Sequence, residues 1–272
     1  MGEEKSTIGK PFVSGNVLSG NKVADMSGLP LYGKTALVTG ASRGIGASVA
    51  RQLAESGEDV AINYRSKSPR AQAVAEEVKG LGRRMLLLQG DITEPADITS
   101  TFEQIRTEWR QLDLLVLNAS GGLEKDKPND YAMRLNCTAQ ENLVKAALPL
   151  MPSGSRIVFV TSHLAHFYGR KPVYDSYEPV AVSKRAGEDA LREMIPELSQ
   201  RGIKLVIVSG DLIEGTITPK LLQRQSPGLI EERRREAGVL PDVEQFAGAI
   251  VRAAADERYK SGDTIYVGST DW

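Results

Sequence analysis

Short apolar runs alternate with longer amphipathic stretches along most of this chain. The apolar runs are Ala36 to Val38, Val60 to Asn63, Met85 to Gln89, Leu112 to Leu117, Arg156 to Thr161, Lys204 to Ser209 and Thr264 to Gly268. The stretches with helical spacing are Ile45 to Ser56, Arg70 to Leu81, Ile98 to Trp109, Tyr131 to Leu150, Val180 to Leu198 and Val243 to Ala255. Strands that are apolar on both faces are typical of a parallel sheet covered by helices on both sides. The pattern therefore predicts an α/β fold with a doubly wound, seven-stranded parallel sheet.

The chain has 272 residues, 41% of them hydrophobic, which is enough for one sizeable core. We predict a single domain over residues 31–272. Residues 1–30 are rich in Gly, Ser, Asn and Lys and show no sustained period, so they are predicted to form a flexible N-terminal arm. An alternative is that this arm packs on a neighbouring subunit or caps a site, since Pro11-Phe12-Val13 is more apolar than a linker needs.

The charge balance points to a small-molecule partner. Lys and Arg number 34 against 35 Asp and Glu, so no basic field indicates nucleic acid or an anionic membrane. The single cysteine, Cys137, excludes an internal disulfide, and with only His163 and His166 beside it a metal site is not expected. No run of eighteen apolar residues and no secretory leader is present, so we expect a cytoplasmic protein.

The segment Thr35 to Gly46 reads as strand, tight turn and helix. Its glycines Gly40, Gly44 and Gly46 allow a sharp turn and a close approach of the backbone to a pyrophosphate. The free N–H groups at the start of the following helix attract an anion. This spacing predicts a dinucleotide site in a Rossmann-type sheet.

The segment after the second strand, Asn63-Tyr64-Arg65-Ser66, holds no carboxylate to bind a ribose 2′-hydroxyl. Arg65, together with Ser42 and Arg43 of the glycine turn, is placed to enclose a 2′-phosphate. We therefore predict NADP(H) as the cofactor. The alternative is that both arginines are solvated surface charges.

Small residues follow the next two strands as well. Gly90-Asp91-Ile92 comes after the third strand and Asn118-Ala119-Ser120 after the fourth. They would leave room for adenine and its ribose, with Asp91 available to accept a hydrogen bond from the adenine amino group.

Read in order, these features resemble the short-chain dehydrogenase/reductase family from about Leu31 to the C-terminus. The resemblance is carried by Thr39-Gly40-Ala41-Ser42-Arg43-Gly44-Ile45-Gly46, Asp91-Ile92, Asn118-Ala119-Ser120, Asn136, Ser162 and Ser183-Lys184. It implies that Asn136 holds a water in a proton relay, that Ser162 binds the substrate carbonyl and that Lys184 binds the nicotinamide ribose. It also implies cofactor contacts after the sixth strand, around Gly210 and Leu212. The family commonly pairs subunits through the helices that carry Asn136 and Lys184, so a homodimer or homotetramer is expected.

One departure concerns the family's central acid, a tyrosine four residues before the lysine, where this chain has Val180. An aliphatic side chain cannot donate a proton. The candidate replacements are, in order, Tyr177, His163 and Tyr174, and a water held by the lysine is a further possibility. A tyrosine needs an ammonium such as Lys184 nearby to ionise at neutral pH, whereas a histidine does not.

The region Thr218 to Gly238 corresponds to the variable lid of the family. Its arginines, Arg224, Arg233, Arg234 and Arg235, alternate with glutamates, so a solvated helix face is the favoured interpretation over binding of an anionic substrate. Cys137 is interpreted as a small packing residue.

The leading hypothesis is an enzyme that transfers hydride between NADPH and a carbonyl, imine or hemiaminal carbon of a small molecule, with a non-standard proton donor. An iminium or hemiaminal substrate would relax the need for the phenol, which would suit a tailoring step in specialised metabolism. The absence of the tyrosine at Val180 also motivates two alternatives. These are an NADP(H)-binding regulator or scaffold without turnover, and a non-redox enzyme such as a dehydratase.

Overall fold

A computed structural model describes residues 31–66, 68–124 and 126–271, so the predicted arm at residues 1–30 lies outside the described residues. The described chain forms one sheet of seven parallel strands in the order β3-β2-β1-β4-β5-β6-β7. The strands are β1 (Thr35–Val38), β2 (Asp59–Tyr64), β3 (Met85–Gln89), β4 (Leu114–Leu117), β5 (Arg156–Ser162), β6 (Lys204–Gly210) and β7 (Thr264–Val267). The doubly wound sheet predicted from the apolar runs is confirmed.

Helices cover both faces of this sheet. They are α1 (Gly44–Glu55), α2 (Ser68–Gly80), α3 (Pro95–Glu108), α4 (Tyr131–Met133), α5 (Ala139–Ala147), α6 (His163–His166), α7 (Glu178–Glu193), α8 (Ile195–Gln200), α9 (Ile217–Gln225), α10 (Leu229–Ala237) and α11 (Val243–Ala255). No helix in the described ranges is both long enough and apolar enough to cross a membrane.

Alternate side chains of the strands pack into two separate hydrophobic cores, one on each side of the sheet. Val38 of β1 points to the side covered by α1, α2 and α11, where it joins Leu53 and Phe246. Its neighbour Leu37 points to the opposite side, covered by α3, α5 and α7, and joins Ile105 there. Because strand side chains alternate with a period of two, a strand between two helix layers buries both sets of side chains and is apolar at most positions. All four residues of β1 are buried accordingly.

Two of the predicted helices are interrupted. The segment Tyr131 to Leu150 contains a π-helical turn, Arg134–Thr138, between α4 and α5. The predicted helix Val180 to Leu198 divides into α7 and α8, with Pro196 in the first turn of α8. A proline has no N–H and its ring clashes with the carbonyl four residues before it, so one continuous helix cannot pass this point.

Candidate active site

The carboxyl ends of six strands open into one large cavity of about 1140 Å³. Every residue predicted to contact the cofactor lines it, from Gly40 in the glycine turn to Leu212 after β6. Of the four predicted catalytic residues, Ser162, Tyr177 and Lys184 also line it, whereas Asn136 is not in its wall. The fold thus brings residues from distant parts of the sequence to one edge of the sheet.

The glycine turn has the shape that a pyrophosphate requires. Gly40 has φ +66°, and a Cβ there would lie 2.9 Å from the Cα of Ala119. A Cβ on Gly46 would lie 2.6 Å from Nδ2 of Asn118, so the start of α1 packs directly on the end of β4. Arg43, at the N-cap of α1, makes no side-chain capping bond, and the first turn holds no acidic residue. The N–H groups at this helix start are therefore available to an anion, and the site fits a dinucleotide.

The two arginines proposed for the 2′-phosphate differ in their surroundings. Arg43 is exposed, and no hydrogen bond or ion pair to another described residue engages its side chain. Arg65 donates from Nη1 to the Tyr131 hydroxyl at 2.6 Å and lies 3.8 Å from the Asp91 carboxylate. Both side chains line the cavity next to the glycine turn. Of the two, Arg43 is thus the arginine whose guanidinium is not paired with a carboxylate of the described residues.

Tyr177 and Ser162 face each other across the cavity wall. The Tyr177 hydroxyl lies 3.1 Å from Oγ of Ser162. Tyr177 ends the 3₁₀ turn Asp175–Tyr177 and precedes α7, whose first turn contains Pro179. It is therefore not on the helix that carries Lys184, and it reaches Ser162 from the preceding turn. Val180 lines the cavity one turn further on and is 3% exposed.

Burial raises the pKa of Tyr177 above its usual value of 10, and the hydrogen bond with Ser162 opposes that shift only in part. Lys184, the ammonium that a tyrosine would need nearby in order to ionise at neutral pH, does not lower the pKa of Tyr177. The Tyr177 phenol is consequently protonated at neutral pH and can act as a hydrogen-bond and proton donor.

Neither histidine is a comparable donor. His163 lies with Nδ1 2.8 Å from the Ser209 hydroxyl, and burial lowers its pKa to about 4, so its imidazole is neutral at physiological pH. His166 is not in the cavity wall, and its Nδ1 lies 2.9 Å from both carboxylate oxygens of Glu188. Tyr174 does line the cavity, and burial raises its pKa as well.

Lys184 lies in the cavity wall with 7% of its surface exposed. Burial lowers its pKa to about 8, and the negative charge of Glu188 opposes the shift. No described residue accepts a hydrogen bond from its ammonium group. The group is therefore available to a ligand in the cavity.

Asn136 lies in the π-helical turn and joins two parts of the site. Its Nδ2 donates to the carbonyl of Gly121 at 2.8 Å and to Oγ of Ser183 at 3.0 Å, and its Oδ1 accepts from the Gly121 N–H at 3.3 Å. The side chain thus ties the loop after β4 to α7. The water that Asn136 was expected to hold stays a prediction.

The lid corrects one expectation and adds a contact that the sequence did not reveal. Arg233 of α10 is buried, not solvated, and forms a two-pronged ion pair with Asp211 at 2.9 and 2.7 Å. The same guanidinium donates to the carbonyls of Ser269 and Asp271. Glutamates on either side of Arg233 hide this role in the sequence, and the position of Asp211 directly after β6 is the one signal for it. Arg224, Arg234 and Arg235 are exposed as expected.

No cluster of three or more His, Cys, Asp or Glu side chains able to hold a metal ion occurs in the described part of the chain. Cys137 is half-buried, with Sγ 3.8 Å from the Glu141 carboxylate.

Comparison with known proteins shows the family and agrees with the fold. The family model described as short chain dehydrogenase matches residues 34–226. Hydroxynaphthalene reductase arp2 of Aspergillus fumigatus is 32% identical over 208 residues, which cover 74% of each chain. A short chain dehydrogenase from Burkholderia cenocepacia in complex with NADP is 30% identical, with a TM-score of 0.77 over 88% of this chain and 97% of its own. The angucycline C-6 ketoreductase LanV with bound NADP is 29% identical, with a TM-score of 0.75 over 89% of this chain and 96% of its own.

Proposed function

The chain is an oxidoreductase of the short-chain dehydrogenase/reductase family, and on this premise we propose that it reduces a carbonyl, imine or hemiaminal carbon of a small molecule with NADPH. The observation that carries the proposal is the 3.1 Å contact between the Tyr177 hydroxyl and Oγ of Ser162. This contact supports Tyr177 as the proton donor beside the predicted carbonyl-binding hydroxyl, although Val180 occupies the family position of the acid.

NADPH is favoured over NADH by the charges around the glycine turn. No carboxylate follows β2 to bind a free 2′-hydroxyl, while Arg43 and Arg65 line the cavity there. The B. cenocepacia relative and LanV are both described with bound NADP. In this chain the N–H groups at the start of α1 would hold the pyrophosphate, Arg43 the 2′-phosphate and Lys184 the nicotinamide ribose.

When bound, the nicotinamide supplies the hydride, and the protein has to orient the acceptor and deliver a proton. Ser162 donates a hydrogen bond to the acceptor oxygen or nitrogen and fixes its position. Tyr177 then delivers its proton to the oxygen of a carbonyl or the nitrogen of an imine, which gains negative charge as hydride is accepted. With a hemiaminal the proton goes instead to the hydroxyl group, which leaves as water before the carbon accepts hydride. The raised pKa of Tyr177 suits this direction because the phenol is protonated at neutral pH. In the oxidative direction the same phenol would be a poor base.

The substrate is proposed to be a small ketone, imine or hemiaminal of the kind that a tailoring step in specialised metabolism handles. The names of two relatives, hydroxynaphthalene reductase and angucycline ketoreductase, support this class. The competing proposal of an NADP(H)-binding regulator without turnover rests on Val180 and loses support from the position of Tyr177. A homodimer or homotetramer and a cytoplasmic location stay predictions.

The experiment is a screen of ketones and cyclic imines for NADPH oxidation, followed by kinetics of three variants. We expect Tyr177→Phe to lower kcat by roughly 10²- to 10⁴-fold, because it removes the donated proton and leaves the ring in place. Tyr174→Phe is the matched control, since it makes the same change on the same loop and should retain most of the activity. Lys184→Ala should weaken cofactor binding.

Wild-type kcat in Tyr177→Phe would assign the proton to another group. Unchanged turnover in Lys184→Ala would show that the site is wrongly placed. Binding of NADPH without oxidation of it by any substrate of either class would favour the regulator.

A further inference from the structure

A buried carboxylate lies behind the lysine of the cavity wall. Glu188 follows Lys184 by four residues on α7, so the two side chains lie on the same face of the helix. Glu188 has none of its surface exposed. An ionised carboxylate in such a place is costly unless fixed partners neutralise it.

Glu188 has two direct partners, from α6 and α7, and residues of β7 hold both of them in place. From α6, Nδ1 of His166 lies 2.9 Å from both Glu188 oxygens and must donate to them, since a carboxylate only accepts. From α7 itself, Nε of Arg192 donates to Oε1 at 2.9 Å. From β7, the Tyr266 hydroxyl lies 2.9 Å from Nε2 of His166, and Thr264 accepts from Arg192 at 2.7 Å. Glu188 is thus held from both sides in a single position.

These partners also decide the charge of Glu188. Burial alone would raise its pKa, but the hydrogen bonds and charges of His166 and Arg192 hold the pKa below its usual value. The nearby Arg185 is paired with Asp189 instead, at 2.5 Å. Glu188 is therefore an anion at neutral pH.

Lys184, in contrast to Glu188, has no ion-pair partner among the described residues to stabilise its charge. Its ammonium is buried and has no ion pair among the described residues, so desolvation favours the neutral amine. The charge of Glu188, fixed one helical turn away, opposes that loss. It does so without a direct hydrogen bond, which leaves the Nζ protons of Lys184 for a ligand in the cavity.

We propose that Glu188 is a positioning residue: its carboxylate, fixed by His166 and Arg192, keeps Lys184 in the ammonium form that binds the cofactor ribose. This inference rests on the proposed function for the role of Lys184. It assigns to the pair His166–Glu188 a task in the site, although neither side chain lines the cavity.

The test is an NMR titration of the Lys184 side chain in full-length protein labelled with ¹³C-lysine. The signal is assigned by its loss in a Lys184→Met variant. In the wild type we expect a midpoint of about 8. In Glu188→Gln the midpoint should fall by roughly one pH unit, because an opposing charge has been removed. Glu193→Gln is the matched control, since it removes an exposed carboxylate from the same helix and should leave the midpoint unchanged.

The sign of the shift separates an electrostatic role from a merely structural one. If Glu188→Gln merely loosened the contacts among Glu188, His166 and Arg192, water would reach Lys184 and its midpoint would rise toward the ordinary 10.5. A midpoint that is unchanged or raised in Glu188→Gln would overturn the proposal. If that variant does not fold, Glu188→Asp serves instead, because the shorter side chain moves the carboxylate away from Lys184 and should lower the Lys184 midpoint. A rise or no change there would equally overturn the proposal.

The titration needs no substrate, so it is independent of the proposed function. A shift in the Lys184 midpoint without NADPH oxidation would leave the role of Glu188 intact and remove the reductase. Full turnover with an unchanged midpoint would do the reverse. In an active enzyme, the alkaline limb of the kcat/KM profile should move to lower pH by the same amount in Glu188→Gln.

Discussion

Lys184 carries its charge inside the protein wall, and this costs folding free energy. Its pKa is lowered from 10.5 to about 8 by burial, even with Glu188 nearby. Below pH 8 both the folded and the unfolded chain hold the proton, so the full cost of the buried ammonium is present. Between about pH 8 and 10.5 the folded chain releases the proton first, and the cost declines. This lowering of the Lys184 pKa corresponds to a loss of about 3 kcal/mol in the free energy of unfolding at neutral pH.

We therefore predict that Lys184→Met raises the free energy of unfolding at pH 7 by up to about 3 kcal/mol, while it abolishes turnover. The gain should shrink to roughly half at pH 9.5, because the wild-type lysine is then mostly neutral in the folded state. Urea unfolding at the two pH values measures both effects. Lys79→Met is the control, since Lys79 pairs with Glu76 on the surface and should matter by less than about 0.5 kcal/mol at either pH. A destabilised Lys184→Met at pH 7 would contradict the prediction.

At the residue scale, the sequence predicted which residues lie at the site better than it predicted the surroundings of their side chains. Tyr177 ranked first among the substitute donors, and its hydroxyl does face Ser162. Ionisation of Tyr177 near neutral pH would require Lys184 beside it, and the structure does not meet this condition, because the 3₁₀ turn places Tyr177 before the helix and burial raises its pKa. Arg233 was wrongly expected in solvent, since the position of Asp211 directly after β6 does not by itself show that Arg233 lies opposite it.

The backbone of helix α7 packs directly against the backbone of the π-helical turn. A Cβ added to Gly187 would overlap the carbonyl oxygen of Asn136, so only glycine fits there. This contact, with the Asn136 bond to Ser183, sets how far α7 lies from the loop after β4. The positions of Lys184 and Tyr177 relative to the sheet depend on it.

We predict that Gly187→Ala destabilises the protein by about 3 kcal/mol or more, because the added methyl group forces α7 away from the π-helical turn. Gly80→Ala is the control: nothing lies within 4 Å of a Cβ at Gly80 in α2, so the change should be neutral or stabilise by up to about 1 kcal/mol. Thermal unfolding of the two variants gives the comparison. Equal midpoints would show that α7 shifts freely.

At the element scale, strands were predicted more accurately than helix interruptions. A strand buried on both faces is apolar at most positions, and this is visible in the sequence. The π-helical turn has no such marker, because Arg134 to Thr138 continue the apolar spacing of an ordinary helix. The break before α8 did have a marker in Pro196, which the periodicity of the flanking residues obscured.

The whole molecule is built so that ligand binding and folding are linked. The cavity wall draws on both halves of the sheet, from Arg65 after β2 to Leu212 after β6, and on the lid. Arg233 joins that lid to the end of β6 and to the final residues of the described chain. A ligand that contacts all of these parts binds the folded state alone and stabilises it by mass action.

NADPH at a hundred times its Kd should therefore stabilise the protein by about 2.7 kcal/mol, or a rise in Tm of about 5–10 °C. NADH at the same concentration should give a smaller rise. In Arg43→Ala the advantage of NADPH over NADH should decline, while the NADH shift stays as in the wild type, because the variant loses only the 2′-phosphate contact. Differential scanning fluorimetry with Arg252→Ala as the exposed-arginine control measures this. Equal shifts for both cofactors in the wild type would refute the assignment of NADPH.

The place of Tyr177 also matters for how enzymes of this kind are sorted. A search for a tyrosine four residues before a lysine fails at Lys184, because Val180 occupies that position, and it would classify this chain as a pseudoenzyme. Yet the Tyr177 hydroxyl lies 3.1 Å from Oγ of Ser162, although Tyr177 belongs to the 3₁₀ turn that ends where α7 begins. Under the proposed mechanism this hydroxyl supplies the proton from a different position along the chain. Catalogues of inactive relatives compiled from motif spacing should accordingly be checked for a second tyrosine just upstream, before loss of activity is inferred.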